Sequence, residues 1–154
     1  MSMKLKRDEV VAIYNTIKDV NLLKMRADCK KSFVVNSIKL KEVAEKINEE
    51  NTKVVDSLRT KEYDKALQSY LKCKAEYDKE NSKENEKALT DAAKIFEPLF
   101  QDMEKKFNDI TASLEQDFEL DLVRIPMESY LEYLDTIGKD YSFKSLIVLD
   151  KLFE

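Results

Sequence analysis

Paired carboxylates are the commonest chemistry-bearing pattern in the sequence. They occur as Glu49/Glu50, as Asp117, Glu119 and Asp121 in alternation, and as Glu128/Glu132. Two carboxyl groups can act as general acid and base when an apolar pocket raises the pKa of one of them. None of these sets lies in such a setting, so each reads as a solvated face. Asp117-Glu119-Asp121 outlines an acidic metal run but lacks the glycine and closing glutamate of a calcium loop. On a strand the three share one face, where Lys4 and Lys6 are simpler partners. A nucleophilic role for Cys29 or Cys73 needs an activating base, and the chain has no histidine. Ser142 and Lys144 stand close together without a supporting motif. The expectation is a protein that is not an enzyme, with no catalytic residues, no cofactor and no metal.

Composition narrows the field further. One glycine excludes the Gly-rich loops that cradle phosphates. Lys plus Arg is 27 against 31 Asp plus Glu, a net charge of −4, with both signs interspersed. A nucleic-acid binder usually shows a basic domain or stripe. The densest basic stretch here is Lys24, Arg26, Lys30 and Lys31, with Lys39 and Lys41 beyond, and it reads as a solvated helix face. No direct nucleic-acid partner is expected. No apolar run approaches a membrane span, and Met1 to Arg7 is not followed by the apolar stretch of a secretory signal. Two cysteines are too few for a secreted disulfide scaffold and fit free thiols in a reducing cytoplasm.

Good helix formers dominate, and the chain holds one Gly and two Pro in 154 residues, so little interrupts a helix. Met3 to Arg7 alternates as a half-buried strand does. Asp8 is placed to N-cap a short helix over 9–19, with Val10, Val11, Ile13, Tyr14 and Ile17 on its apolar face. A long helix follows from between Leu22 and Ala27. Its seam is Phe33, Ile38, Leu40, Val43, Ile47, Val54 and Leu58, interrupted by Asn51. The pattern resumes through Tyr63, Ala66, Leu67, Tyr70, Leu71, Cys73 and Tyr77, which allows one helix of about 50 residues. A break near Thr60-Lys61 is the alternative. The polar stretch 78–85 reads as a hairpin loop. The return helix carries Ala88, Leu89, Ala92, Phe96, Leu99, Met103, Phe107, Ile110 and Leu114, with a kink expected at Pro98.

After Gln116 the period switches to alternation, predicting a strand of about seven residues that ends at Pro126. Its only available partner is Met3 to Arg7, so the two ends of the chain are expected to pair, with Lys4 and Lys6 beside Glu119 and Asp121. Two short helices close the chain. One carries Met127, Tyr130, Leu131, Leu134 and Ile137 and is terminated by Gly138. The other is N-capped by Ser142 and carries Phe143, Leu146, Ile147, Leu149, Leu152 and Phe153. The predicted fold class is mainly α. A long antiparallel, coiled-coil-like helical hairpin joins a small α+β head made of a two-stranded ribbon and short terminal helices. The chain reads as one domain, with 1–21 and 117–154 as head and 22–116 as hairpin.

Tyr130, Tyr133, Tyr141 and Phe143 cluster near the C-terminus. The plain reading is head core with phenols at its edge. The sharper one is a partner-binding surface, since aromatic side chains are enriched at interfaces.

The layout resembles a group of small tailed-bacteriophage helical-hairpin proteins of unknown function. The residues that carry the likeness are Met3–Val11, Glu119–Pro126 and Leu146–Glu154. The resemblance implies a phage origin and a non-enzymatic structural or assembly role, in or on the virion, through helix-face packing against other phage proteins or further copies of the chain. It implies a place in the host cytoplasm during infection and in the virion. A small acidic inhibitor of a host defence or nucleic-acid enzyme is the alternative, although mixed charge signs count against it.

Overall fold

The computed structural model describes residues 2–137 and 143–154. The proposed cap residues Gly138 and Ser142, and Tyr141, lie outside the described residues. The described chain is mainly helical, with one two-stranded antiparallel ribbon, a helical hairpin and short helices near the C-terminus. It divides into two compact units, residues 1–50 with 115–154, and residues 51–114.

In the first unit β1 (Ser2–Leu5) pairs with β2 (Phe118–Asp121), placing Lys4 opposite Glu119 and Leu5 opposite Phe118. The two extremities thus meet as alternation and charge predict. Lys4 Nζ is 3.8 Å from Glu119, but both are exposed, so this pair adds little. Lys6 lies beyond the ribbon. Its N–H donates to Glu9 Oε2 at 2.8 Å and so starts α1 (Arg7–Lys18). The N-cap position is therefore Lys6, and Asp8 sits in the first turn. Asp121 is opposite Ser2 and lies 3.6 Å from Lys39 Nζ of α2 (Ala27–Leu58). β2 is shorter than expected because the chain leaves the ladder after Asp121 and finds other partners. Side chains on α2 receive it.

Those side chains form a polar ladder. Asn36 donates from Nδ2 to the Val123 carbonyl at 2.8 Å and accepts from the Val123 N–H at 2.7 Å. Ser32 donates to the Arg124 carbonyl at 2.8 Å, and Lys39 to the Asp121 carbonyl at 2.5 Å. Asp28 accepts from the Ser129 hydroxyl at 2.9 Å. Spacings of three and four put these groups on adjoining helix rows. They satisfy backbone groups that a lone strand would leave bare. Beyond the ladder, the Ile125 N–H donates to Leu152 and the Glu154 N–H to Ile125, a short parallel bridge to the C-terminus.

The core of this unit gathers Leu5, Val10, Ile13 and Ile17 with Phe33, Leu40 and Ile47 of α2. Ile125, Tyr130, Leu149 and Leu152 complete it from the C-terminal segment. α5 (Met127–Thr136) and α6 (Lys144–Val148) are the short helices of the head. The buried face of α2 is Cys29, Ser32, Phe33, Asn36, Leu40, Ala44 and Ile47. Residues 22–50, assigned to the hairpin by sequence, thus group with the head. Ile38, expected in the seam, falls on another row and is 71% exposed, whereas Val43 is half-buried against the core as expected. Arg7 is buried, with Nη1 2.6 Å from Glu50 Oε2.

The second unit contains the end of α2, α3 (Lys61–Lys79) and α4 (Lys83–Ser113). The helix after residue 22 is therefore broken, as the alternative had it, at Arg59-Thr60. Thr60 accepts the Tyr63 N–H at 3.1 Å, and Arg59 Nη2 lies 2.7 Å from Asp64. The hairpin loop is Glu80-Asn81-Ser82. Ser82 caps α4 by accepting the Asn85 N–H at 3.1 Å, and Asn85 Nδ2 donates to the Glu80 carbonyl at 2.9 Å. α4 runs through Pro98 without interruption.

Two carboxylates of the first unit give it an acid dependence. Glu9 is held below the ordinary carboxylate range by hydrogen bonding from Lys151 Nζ at 2.5 Å, and then from the Lys6 N–H. Asp28 is lowered by the Ser129 hydroxyl first, then by the Cys29 N–H. A folded pKa below the unfolded one means that the unfolded chain takes up the proton first. The contribution is complete above the ordinary carboxylate pKa and is lost as pH falls through the folded pKa. Glu9→Gln is expected to flatten the acid limb of stability measured by urea unfolding across pH. An unaltered limb would contradict this role for Glu9.

Candidate functional site

The sequence-derived carboxylate sets are spread over the structure as ion-pair partners and solvated groups. Glu50 pairs with Arg7, Glu119 with Lys4, Asp121 with Lys39 and Glu132 with Arg26. Glu49, Asp117 and Glu128 are exposed. Among the described residues no group of three or more His, Cys, Asp or Glu is placed to hold a metal ion. Cys29 is buried and Cys73 half-buried, both as free thiols. Burial, with Asp28 next to it, pushes the Cys29 thiol up to about 11. It is therefore protonated at neutral pH and a poor nucleophile.

The aromatic cluster separates into two kinds of residue. Tyr130 is 2% and Tyr133 6% exposed. Tyr130 packs against Phe33, Tyr133 and Phe153 with ring centroids 5.4, 6.0 and 5.8 Å away. The Tyr133 hydroxyl accepts the Asn21 N–H at 2.9 Å. Both tyrosines are head core, which corrects the partner-surface reading for them: their rings are spent inside the fold. Burial also raises the Tyr130 phenol. Phe143 is 75% exposed.

The surface that stands out lies in the second unit. α3 sets Tyr63, Ala66, Tyr70, Cys73 and Tyr77 at alternating steps of three and four, a heptad seam. α4 answers with Ala92, Phe96, Leu99, Met103 and Phe107. Phe96 lies between Tyr63 at 5.6 Å and Tyr70 at 5.2 Å, one turn to either side of Ala66. Small residues under large rings let α3 and α4 approach closely. Yet across residues 51–114 only Ala66 and Ala92 are buried. α3 and α4 each cover one side of the other's seam, and its large side chains stay half-buried. On the rows beside the seam, Leu71 is 53%, Ile95 64% and Phe100 44% exposed. This differs from the first unit, where whole aromatic and aliphatic side chains are enclosed. The sequence marks the seam residues but not their exposure, because periodicity identifies an apolar face without counting the helices that cover it.

Among the described residues no helix is long and apolar enough to cross a membrane. No known protein family, curated protein or solved structure is detectably similar to the chain.

Proposed function

We propose that this chain is a non-enzymatic bacteriophage structural or assembly protein that works by packing helix faces against a protein partner. The observation that carries the docking role is the half-open seam of α3 and α4, with two alanines as its only buried residues. Bundles of three or four helices complete such seams, and large exposed apolar side chains serve as anchors in the centre of an interface. Interspersed charge around the seam sets register and discourages wrong pairings. The phage assignment rests on the resemblance carried by Met3–Val11, Glu119–Pro126 and Leu146–Glu154. The partner is accordingly another virion or assembly protein.

Mass spectrometry of purified virions of the encoding phage tests the role, paired with variants of the face. Leu71→Glu and Ile95→Glu alter exposed positions and should leave the melting temperature nearly unchanged. They are expected to reduce incorporation, or co-purification with the partner, by about tenfold or more. Wild-type absence from particles and from assembly intermediates, with capture of a host enzyme instead, would replace this reading by the inhibitor one.

A further inference from the structure

Along the chain both signs of charge alternate, but around α3 and α4 they are sorted by row. A helix turns about 100° per residue, so the residue after each seam position lies to one side of the seam and the residue before it to the other. Both helices are right-handed and they run antiparallel, so the following residues come out on one face of the pair. On α3 these are Leu67, Leu71, Lys74 and Asp78, after Ala66, Tyr70, Cys73 and Tyr77. On α4 they are Ala93, Glu97, Phe100 and Glu104, after Ala92, Phe96, Leu99 and Met103. Glu86, seven positions before Ala93, extends the α4 row toward the loop.

The floor of this face is apolar. Leu71 is 53% and Phe100 44% exposed, with Leu67 and Ala93 half-buried beside them. Its charge is negative. Glu97 and Glu104 stand one turn to either side of Phe100, and Asp78 and Glu86 stand near the hairpin loop. All four carboxylates are exposed, and among the described residues none makes an ion pair; Asp64, on the same side of α3, is taken by Arg59 and Asp102 by Lys106. Lys74 is the only cation on these rows. Lys83, Lys87, Lys94 and Lys105 share a row on the back of α4, and Lys61 and Lys79 lie two positions from a seam residue, about 200° round α3. The opposite face of the pair is mixed: Glu62 and Glu76 stand with Lys65 and Lys72, and Asp91 and Asp102 with Lys106.

We propose that the face carrying Leu71 and Phe100 receives a basic amphipathic helix of a partner protein. The inference rests on the docking role given above to the α3–α4 seam and names the chemistry of its occupant. Apolar side chains one turn apart would lie along Leu67, Leu71 and Phe100 as the third helix of a bundle. Lys or Arg on its flanks would meet Glu97 and Glu104 on one side and Asp78 on the other. Complementary charge selects such a helix over a neutral or acidic one. A second copy laid face to face would bring two net-negative surfaces together, which opposes a self-paired contact here.

The test uses the full chain and two fluorescein-labelled amphipathic peptides. Both have leucines at i, i+4 and i+7; one has lysine and the other glutamate at the polar positions. By fluorescence anisotropy the lysine peptide is expected to bind about tenfold or more tightly than its glutamate counterpart, and less tightly as salt is added. The double variant Glu97→Lys with Glu104→Lys is expected to weaken the lysine peptide about tenfold and to strengthen the glutamate peptide. Phe100→Ser is expected to weaken the lysine peptide about tenfold, while Glu76→Lys, on the mixed face, leaves it unchanged. All these positions are exposed, and a melting temperature close to that of the wild type shows that each variant folds. Equal binding of the two peptides, no binding of either, or equal losses in Glu76→Lys and in the double variant would overturn the inference. Self-association by light scattering that is lost in Phe100→Ser, without peptide binding, would make a second copy the occupant and overturn it likewise. The docking role is read separately, by the incorporation of Leu71→Glu: reduced incorporation without a preference for the lysine peptide keeps the seam as a docking surface and overturns only its basic partner.

Discussion

Tyr130→Ala is expected to lower the stability of the head by about 4 kcal/mol, the range for removing a large enclosed aromatic ring. The ring is 2% exposed and touches Phe33 from α2, Tyr133 from its own helix and Phe153 from the C-terminus. Three chain segments far apart in sequence therefore lose a shared packing partner, and the cavity has walls that cannot easily collapse. Tyr130→Phe keeps the ring contacts and loses only the hydroxyl's hydrogen bond, so it should cost about 1 kcal/mol. Urea unfolding of the two variants separates these cases. An alanine variant as stable as wild type would return Tyr130 to the list of surface anchors.

Asn36→Ala is expected to cost about 3 kcal/mol. Asn36 is fully buried and gives the Val123 peptide both a donor and an acceptor, at 2.8 and 2.7 Å. Its removal takes both bonds from the part-buried Val123 N–H and carbonyl and empties the space of a fully buried side chain, and the two losses add. Asn36→Asp refines the argument. The carboxylate can still accept the Val123 N–H, but it faces the Val123 carbonyl with no proton to donate. Burial raises the pKa of such a group, so the folded state takes up a proton more readily than the unfolded one. The deficit of Asn36→Asp should therefore shrink as pH falls and grow as pH rises through the carboxylate range. Urea unfolding at acidic and neutral pH reads this directly. An Asn36→Ala variant within about 0.5 kcal/mol of wild type would remove the ladder from the account of the head.

The ribbon was legible because alternation at Phe118–Asp121 and at Met3–Leu5 has no helical explanation, and each segment had one available partner. The hairpin turn was legible because an apolar-free stretch separates two periodic ones. The division between α2 and α3 was visible only as an alternative, since Thr60 ends a helix by capping the next one and neither Gly nor Pro marks the site. The polar ladder was missed for a clear reason. Ser32 and Asn36 look like surface residues when polarity alone is read. The available signal was their position on the Cys29, Phe33 and Leu40 row, where a polar residue must find a buried partner. The same row displaced Ile38 from the expected seam and left it exposed. Of the aromatic candidates, Tyr130 and Tyr133 belong to the core because a small head has few other rings to fill it, whereas Phe143 lies outside that packing.

Fold and proposed role meet in the contrast between an enclosed head and an incompletely covered hairpin. Regions with few enclosed apolar side chains open more readily and exchange their amide protons sooner. Hydrogen–deuterium exchange on the free chain tests this contrast most directly. Amides of α3 and α4 are expected to exchange much faster than those of α2 between Phe33 and Ile47. Protection in α3 and α4 equal to that of the head would mean that the hairpin is already complete, and would contradict its role as a face waiting for a partner.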